Sequence, residues 1–168
     1  VIETYAVLAA DSTALFIGDI VKLSGTADAN GVAAITRLTT ITDSPLGVVV
    51  GFTPDYSNLN TPQYRLASTA RNVLVSVAPT TVYEVQSSGA TVLADIGLNA
   101  GPTYTAGSTV TGQSGMTLDI ATKATTVTHP LKIVGVVQRP DADMADSSSW
   151  KLLVTLNTAT YAGNTVGI

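Results

Sequence analysis

The residues that could do chemistry in this chain are few and widely spaced. There is one histidine, His129, followed by Pro130, and a nucleophilic triad needs a base hydrogen-bonded to a serine and oriented by a carboxylate. The nearest approach to a nucleophile elbow, Gly112-Gln113-Ser114-Gly115-Met116, lacks the final glycine and reads as a turn. Asp141-Ala142-Asp143-Met144-Ala145-Asp146 starts like a calcium loop, because alternate carboxylates converge on a hard cation. The pattern then breaks: Ala145 holds a ligand position, Asp146 replaces the turn glycine, and no Glu closes the loop. That segment reads as a solvated connection between two strands, or as an exposed tip that recognises a partner. Only two glutamates are present, Glu3 and Glu84, with no aromatic cluster to bind a sugar between acid and base. No glycine loop with a following lysine is present to cradle phosphate. The expectation is a protein that is not an enzyme and holds no cofactor and no metal.

The side chains left for function are those that bind by contact. Trp150, the only tryptophan, opens an apolar strand and is either a core residue or an interface anchor. Tyr56 and Tyr64 fall in a loop rich in turn formers, and Tyr104 is similarly placed. At the beginning of the sequence, Val1-Ile2-Glu3-Thr4-Tyr5 combines apolar anchors with extended propensity. The partner-contact candidates are therefore Val1, Ile2, Tyr5, Tyr56 and Trp150. The other reading of the N-terminal segment is that it pairs with the chain's own sheet. If it grips a partner instead, removing residues 1–5 leaves the melting temperature nearly unchanged.

The elements that position these residues are strands. Threonine occurs 26 times in 168 residues, hydrophobic residues make up 45% and charged residues only 12%. β-Branched Thr and Val suit a pleated, half-buried surface better than a helix. Residues 3–8, 17–23, 32–38, 46–52, 72–77, 81–86, 131–137 and 150–157 read as strands, and no segment sustains a helical period. Asp28-Ala29-Asn30-Gly31 signals a hairpin with a two-residue type I′ turn. Residues 53–64 form a long loop, and 100–128 read as long loops and edge strands. The predicted fold is all-β, a small β-barrel or β-sandwich. It is organised as an N-terminal β-unit (1–70) and a C-terminal β-unit (71–168), or as one continuous domain.

The choice of two units rests on an internal echo. Gly18-Asp19-Ile20 and Ser44-Pro45-Leu46-Gly47-Val48-Val49 match Ala94-Asp95-Ile96 and His129-Pro130-Leu131-Lys132-Ile133-Val134, provided the second half carries an insertion near its Gly/Thr-rich stretch. A net charge of −4 and a pI near 4.6 offer no basic footprint for nucleic acid or an anionic membrane. The longest apolar run, residues 46–52, is far shorter than the roughly 20 residues of a bilayer-spanning helix. The chain reads as soluble. With no cysteine, disulfides and thiolate metal sites are excluded, and the redox compartment is not legible. No initiator Met or signal-like segment stands at Val1, which fits either a removed leader or an ordered part that begins there.

Four stretches, taken in order, resemble a family. They are Asp95-Ile96-Gly97-Leu98-Asn99; Gly107-Ser108-Thr109-Val110-Thr111-Gly112-Gln113-Ser114 with Leu118-Asp119; Leu131-Lys132-Ile133-Val134-Gly135 through Pro140-Asp141; and Trp150-Lys151-Leu152-Leu153-Val154-Thr155-Leu156-Asn157. This succession is similar to the ordered motifs of the small head decoration, or cement, proteins of tailed bacteriophages of the marine and cyanobacterial type. The likeness covers about residues 90–160 and, in the first half, the Gly-Asp and Pro-Leu-Gly-Val-Val strands. After the final Asn the family often carries a His, where this chain has Thr158 and Ala159. The resemblance implies a β-rich accessory protein on the outer surface of the phage head. Its partner would be the major capsid protein, it would be a homo-oligomer with a trimer as the first expectation, and it would have no enzymatic step. Composition alone also suits a fibre, tail-tube or surface-fibre β-module, or a glycan-binding β-sandwich.

Overall fold

A computed structural model describes residues 1–56, 58–140 and 146–162. The chain is all-β: ten strands with two single 3-10 turns among the described residues. The strands are β1 (Ile2–Val7), β2 (Ile20–Ala27), β3 (Ala33–Arg37), β4 (Gly47–Phe52), β5 (Arg71–Ser76), β6 (Val82–Gln86), β7 (Asn99–Pro102), β8 (Leu118–Ala124), β9 (Leu131–Val136) and β10 (Lys151–Leu156). The 3-10 turns are Leu93–Asp95 and Ser147–Ser149. No helix among the described residues is long and apolar enough to cross a membrane.

The strands gather into two compact units. Unit 1 comprises Val1–Leu38 and Pro45–Ala78 together with Thr105–Met116; unit 2 comprises Pro79–Tyr104 and the chain from Thr117 onward, together with Thr39–Ser44. The division of the strands thus falls after Ala78, with β5 in unit 1, whereas the sequence suggested a boundary after residue 70. Each unit also takes a segment from the other half of the sequence.

Unit 1 is a closed barrel of order β1-β3-β2-β4-β5, with β1 parallel to β3 and every other pair antiparallel. Closure gives every strand a neighbour on both sides, though β1 meets β3 only at Ala6 and Ala34. Alternation along the strands sends Tyr5, Val7, Val49, Val73 and Val75 inward, where they pack with Val21, Ile35 and Leu46. Unit 2 is a five-stranded sheet of order β6-β10-β9-β7-β8. A parallel bridge, Ser87 with Leu118, links the end of β6 to the start of β8 as Ala6 with Ala34 links β1 to β3.

The two orders are the same when β1 to β5 are read as β6 to β10, and the likeness extends to the register. Ile2 pairs with Ser76 and Ser76 with Val48; correspondingly Val82 pairs with Thr155 and Thr155 with Lys132. In unit 1 the register slips between Val49 and Gly51, leaving Val50 unpaired; in unit 2 it slips at the corresponding point, leaving Val134 unpaired between Ile133 and Gly135. Such a bulge bends the strand and turns its extra side chain outward. Val50 and Val134 are 41% and 44% exposed. Gly51 and Gly135 both stand over a leucine methyl, of Leu74 and Leu153. The chain is a duplicated five-stranded unit.

The register also corrects the alignment suggested by the sequence. Pairing matches Gly47 with Leu131 and Val49 with Ile133, one residue away from the Pro-Leu match. The inward pair Val21–Gly47 in unit 1 becomes Ala100–Leu131 in unit 2, a large and a small residue exchanged across the ladder. An added Cβ on Gly47 would run into the Ser76 carbonyl oxygen, so a side chain here forces the backbone to shift. The expected insertion lies between β7 and β8, where residues 103–117 replace the short turn 28–32. That short turn differs from the type I′ form. The Gly31 N–H donates to the Asp28 C=O at 3.1 Å, and Gly31 alone has a positive φ, of 81°. The Asp28 side chain accepts from the Asn30 and Val32 N–H groups, which favours a three-residue loop ending in a left-handed glycine.

Candidate functional site

Buried charge occurs at matching places in the two units, and each instance serves the fold. Before β2, Asp19 is fully buried and accepts the Phe16 N–H at 2.9 Å; before β7, buried Asp95 accepts the Val92 N–H at 3.0 Å in the same three-residue turn. A left-handed glycine accompanies each, Gly18 and Gly97, whose N–H groups donate to the carbonyls of the matching residues Val49 and Ile133. Relative to that glycine, the carboxylate turn of unit 2 lies three residues earlier. A cation faces each carboxylate from matching strands, Arg37 on β3 and Lys123 on β8.

The two carboxylates are stabilised differently. The Asp95 carboxylate lies 2.8 Å from the Lys123 ammonium. Burial works against its ionised form, but the Lys123 hydrogen bond, the Val92 N–H and the Lys123 charge outweigh it and hold the carboxyl below its usual range. Around Asp19 burial prevails and pushes the carboxyl up, against the Ser114 hydroxyl, the Phe16 N–H and the Arg37 charge. Ser114 comes from the segment 105–116, which seats in unit 1. Its hydroxyl donates to Asp19 at 2.5 Å, the Ile17 N–H donates to the Gly112 carbonyl, and the Ser114 N–H donates to the Ile17 carbonyl. Gly107 lies against the Phe16 ring and Gly115 against the Ala106 carbonyl, with no room for a Cβ at either. The segment Gly112–Met116 is thus a pinned strap in which Ser114 holds a buried acid.

Two further arginines tie the loops. Arg65, fully buried, donates to the carbonyls of Leu8, Asp11, Thr13 and Thr69 at 2.5–2.8 Å. Arg71 lies over the Phe52 ring and donates to the carbonyls of Thr53, Pro62 and Tyr64, anchoring both ends of the long loop. Tyr64 stacks on Phe16, with ring centroids 5.0 Å apart. Nothing in the sequence marks these arginines as clasps. Their only signal is that single cations stand among apolar residues, which does not distinguish a carbonyl clasp from a surface charge.

The residues selected as partner contacts divide by burial. Val1, Ile2 and Tyr56 are exposed, at 77%, 61% and 87%. Tyr5 and Trp150 are buried within their own units, at 4% and 8% exposure. Tyr5 lies on the inward face of β1 with Val7 and packs in the barrel core with Val73 and Val75, and Trp150 immediately precedes β10, where its carbonyl accepts the Ser87 N–H. The N-terminal segment is therefore a barrel strand paired with this chain's own sheet, the second of the two readings given above, with Val1 and Ile2 still exposed on it. His129 has its Nδ1 3.5 Å from the Asn99 carbonyl, and burial, with the charges of Asp43 and Asp119, pushes the Tyr104 hydroxyl up. The loop Asp141 to Ala145, read above as a recognition tip or a failed calcium loop, lies outside the described residues. Among the described residues no three His, Cys, Asp or Glu side chains gather as a metal site.

One exposed arrangement recurs in both units. On the outward face of the β1-β5-β4 sheet, Ile2, Leu74 and Val50 stand together; on the matching β6-β10-β9 face stand Val82, Leu153 and Val134. Ile2, Val50, Val82 and Val134 are each more than 40% exposed. The surrounding positions differ. Thr4, Asn72 and Val48 in unit 1 correspond to Glu84, Lys151 and Lys132 in unit 2. The Arg139 guanidinium adds a further charge, 2.7 Å from Glu84. Comparison of the chain with known protein families, characterised proteins and solved structures found no match.

Proposed function

We propose that this chain is a structural virion protein that binds the outer surface of the expanded head of a tailed phage and reinforces contacts between copies of the major capsid protein. The observation that carries the proposal is the duplication: one chain holds two copies of the same β-unit, each with the same outward aliphatic trio, two of its three members exposed. Exposed aliphatic side chains bury little on folding, yet the trio stands at matching register positions in both units. A chain with two like faces suits a surface that repeats, such as a capsid shell. Two modest contacts made by one chain give a combined affinity far above either alone. Pinned loops, closed strands and the lack of cysteine suit a part that only has to hold.

In this role the protein has no catalytic step, and it assembles as a homo-oligomer, with a trimer on a local three-fold axis as the expected form. A glycan-binding site normally offers exposed aromatic platforms, and Trp150, the only tryptophan, is buried. The fibre alternative requires self-assembly into elongated particles.

The test is co-sedimentation of the purified chain with mature, expanded heads of the parent phage and, in parallel, with unexpanded procapsids. The expected result is saturable binding to expanded heads alone, with a stoichiometry that is a simple fraction of the capsid protein count. Binding to neither particle overturns the proposal.

A further inference from the structure

Within that reading, we infer that the outward face of β6-β10-β9 docks on an acidic patch of the capsid protein, one with an apolar centre and a rim of carboxylates. The two units carry the same outward face with different rims. Both keep the aliphatic trio, so the apolar centre is common to them. Only the second copy surrounds it with charge: Lys132 opposite Thr155, Lys151 opposite Gln86, and Glu84 paired with Arg139. Three cations and one anion give this face a positive balance on a chain whose net charge is −4.

The fold does not call for the charge of Lys132. Arg65 and Arg71 clasp loop carbonyls and Lys123 meets Asp95, whereas Lys132 is exposed on a strand whose inward neighbours Leu131 and Ile133 already fill the interior. Its counterpart, Val48, performs the same strand role without charge. Positive charge around an apolar centre favours a partner with the opposite rim, accelerates encounter and fixes register. The uncharged face of unit 1 provides the built-in comparison, since a partner site matching it would need no carboxylates.

The experiment measures binding to expanded heads for the unaltered chain, for Lys132→Glu/Lys151→Glu, and for Lys22→Glu as a single charge reversal on β2. The double variant is expected to bind about tenfold more weakly or worse. The unaltered chain should lose affinity as salt is raised, and in the double variant that dependence should be reversed, because salt screens the repulsion between the new glutamates and the carboxylate rim. Trp150 fluorescence reports whether the variant keeps unit 2 folded; if it does not, Lys132→Gln/Lys151→Gln takes its place with the same expected direction. Binding by the double variant equal to that of the unaltered chain overturns this inference alone, as does an equal loss from Lys22→Glu. Failure of the unaltered chain to bind heads at all overturns the functional reading, and this inference with it.

Discussion

Asp19 and Asp95 are the same device with opposite pH behaviour. A carboxyl raised by burial is stabler protonated, so the stability tied to Asp19 is fully present below its unfolded pKa and is lost as pH rises through the higher folded value. A carboxyl held down by a lysine behaves inversely: the stability tied to Asp95 is present above its unfolded pKa and is lost as pH falls through the lower folded value. Asp19→Asn should therefore remove a loss of stability on the alkaline side of that window, and Asp95→Asn should remove one on the acid side. Calorimetric melts of both variants across the acid range, with Trp150 fluorescence to follow unit 2, test this. Parallel pH profiles would contradict it. Because Lys123 is 38% exposed and screened by water, the Asp95 pair is worth about 1 kcal/mol at most. Arg65 is a larger case. Arg65→Met leaves four loop carbonyls without their donor in a buried site, and a loss of about 3–5 kcal/mol is expected in the denaturant midpoint of unit 1.

Among the elements, β1 and β4 show what the strand pattern made legible and what it did not. Alternation and β-branched content placed eight of the ten strands, because period-2 burial leaves its mark on every residue. β7 and β8 were obscured by the low-complexity stretch around them. Asn99–Pro102 has only four residues, and Leu118–Ala124 alternates with threonines that read equally as loop. Whether β1 was an arm or a wall could not be decided from Val1 to Tyr5, since the same apolar residues serve both. Its partner β5 lies some 70 positions away, and pairing across such a distance leaves no local trace. Deleting residues 1–5 takes away most of a strand bonded on both sides, including Tyr5 in the core. The cooperative melt of unit 1 should then disappear in calorimetry, against the nearly unchanged temperature a free arm would give. Gly47→Ala tests the other wall: a methyl against the Ser76 carbonyl forces β4 away from β5, with an expected loss of about 1–3 kcal/mol.

At the scale of the whole molecule, the echo between the halves was readable because Pro-Leu and Asp-Ile recur, but its alignment was one residue out at Pro-Leu and three out at Asp-Ile. A one-residue slip turns every side chain to the other face, and only the ladder reveals that Gly47, not Leu46, answers Leu131. The buried acids were in the echo too. Their significance was hidden because burial and a lysine or serine partner are not written in a Gly-Asp or Ala-Asp pair. The borrowed segments have a consequence for how the chain is made. A ribosome releases the first five strands long before Thr105–Met116 emerges, and until then Ile17 lacks the partners for its N–H and carbonyl, and Asp19 lacks its serine. The first half thus waits, nearly closed, for a segment synthesised almost thirty residues after its own last strand. Birth order and completion order differ, and a nascent chain stalled before residue 105 should stay open to protease at residues 16–19.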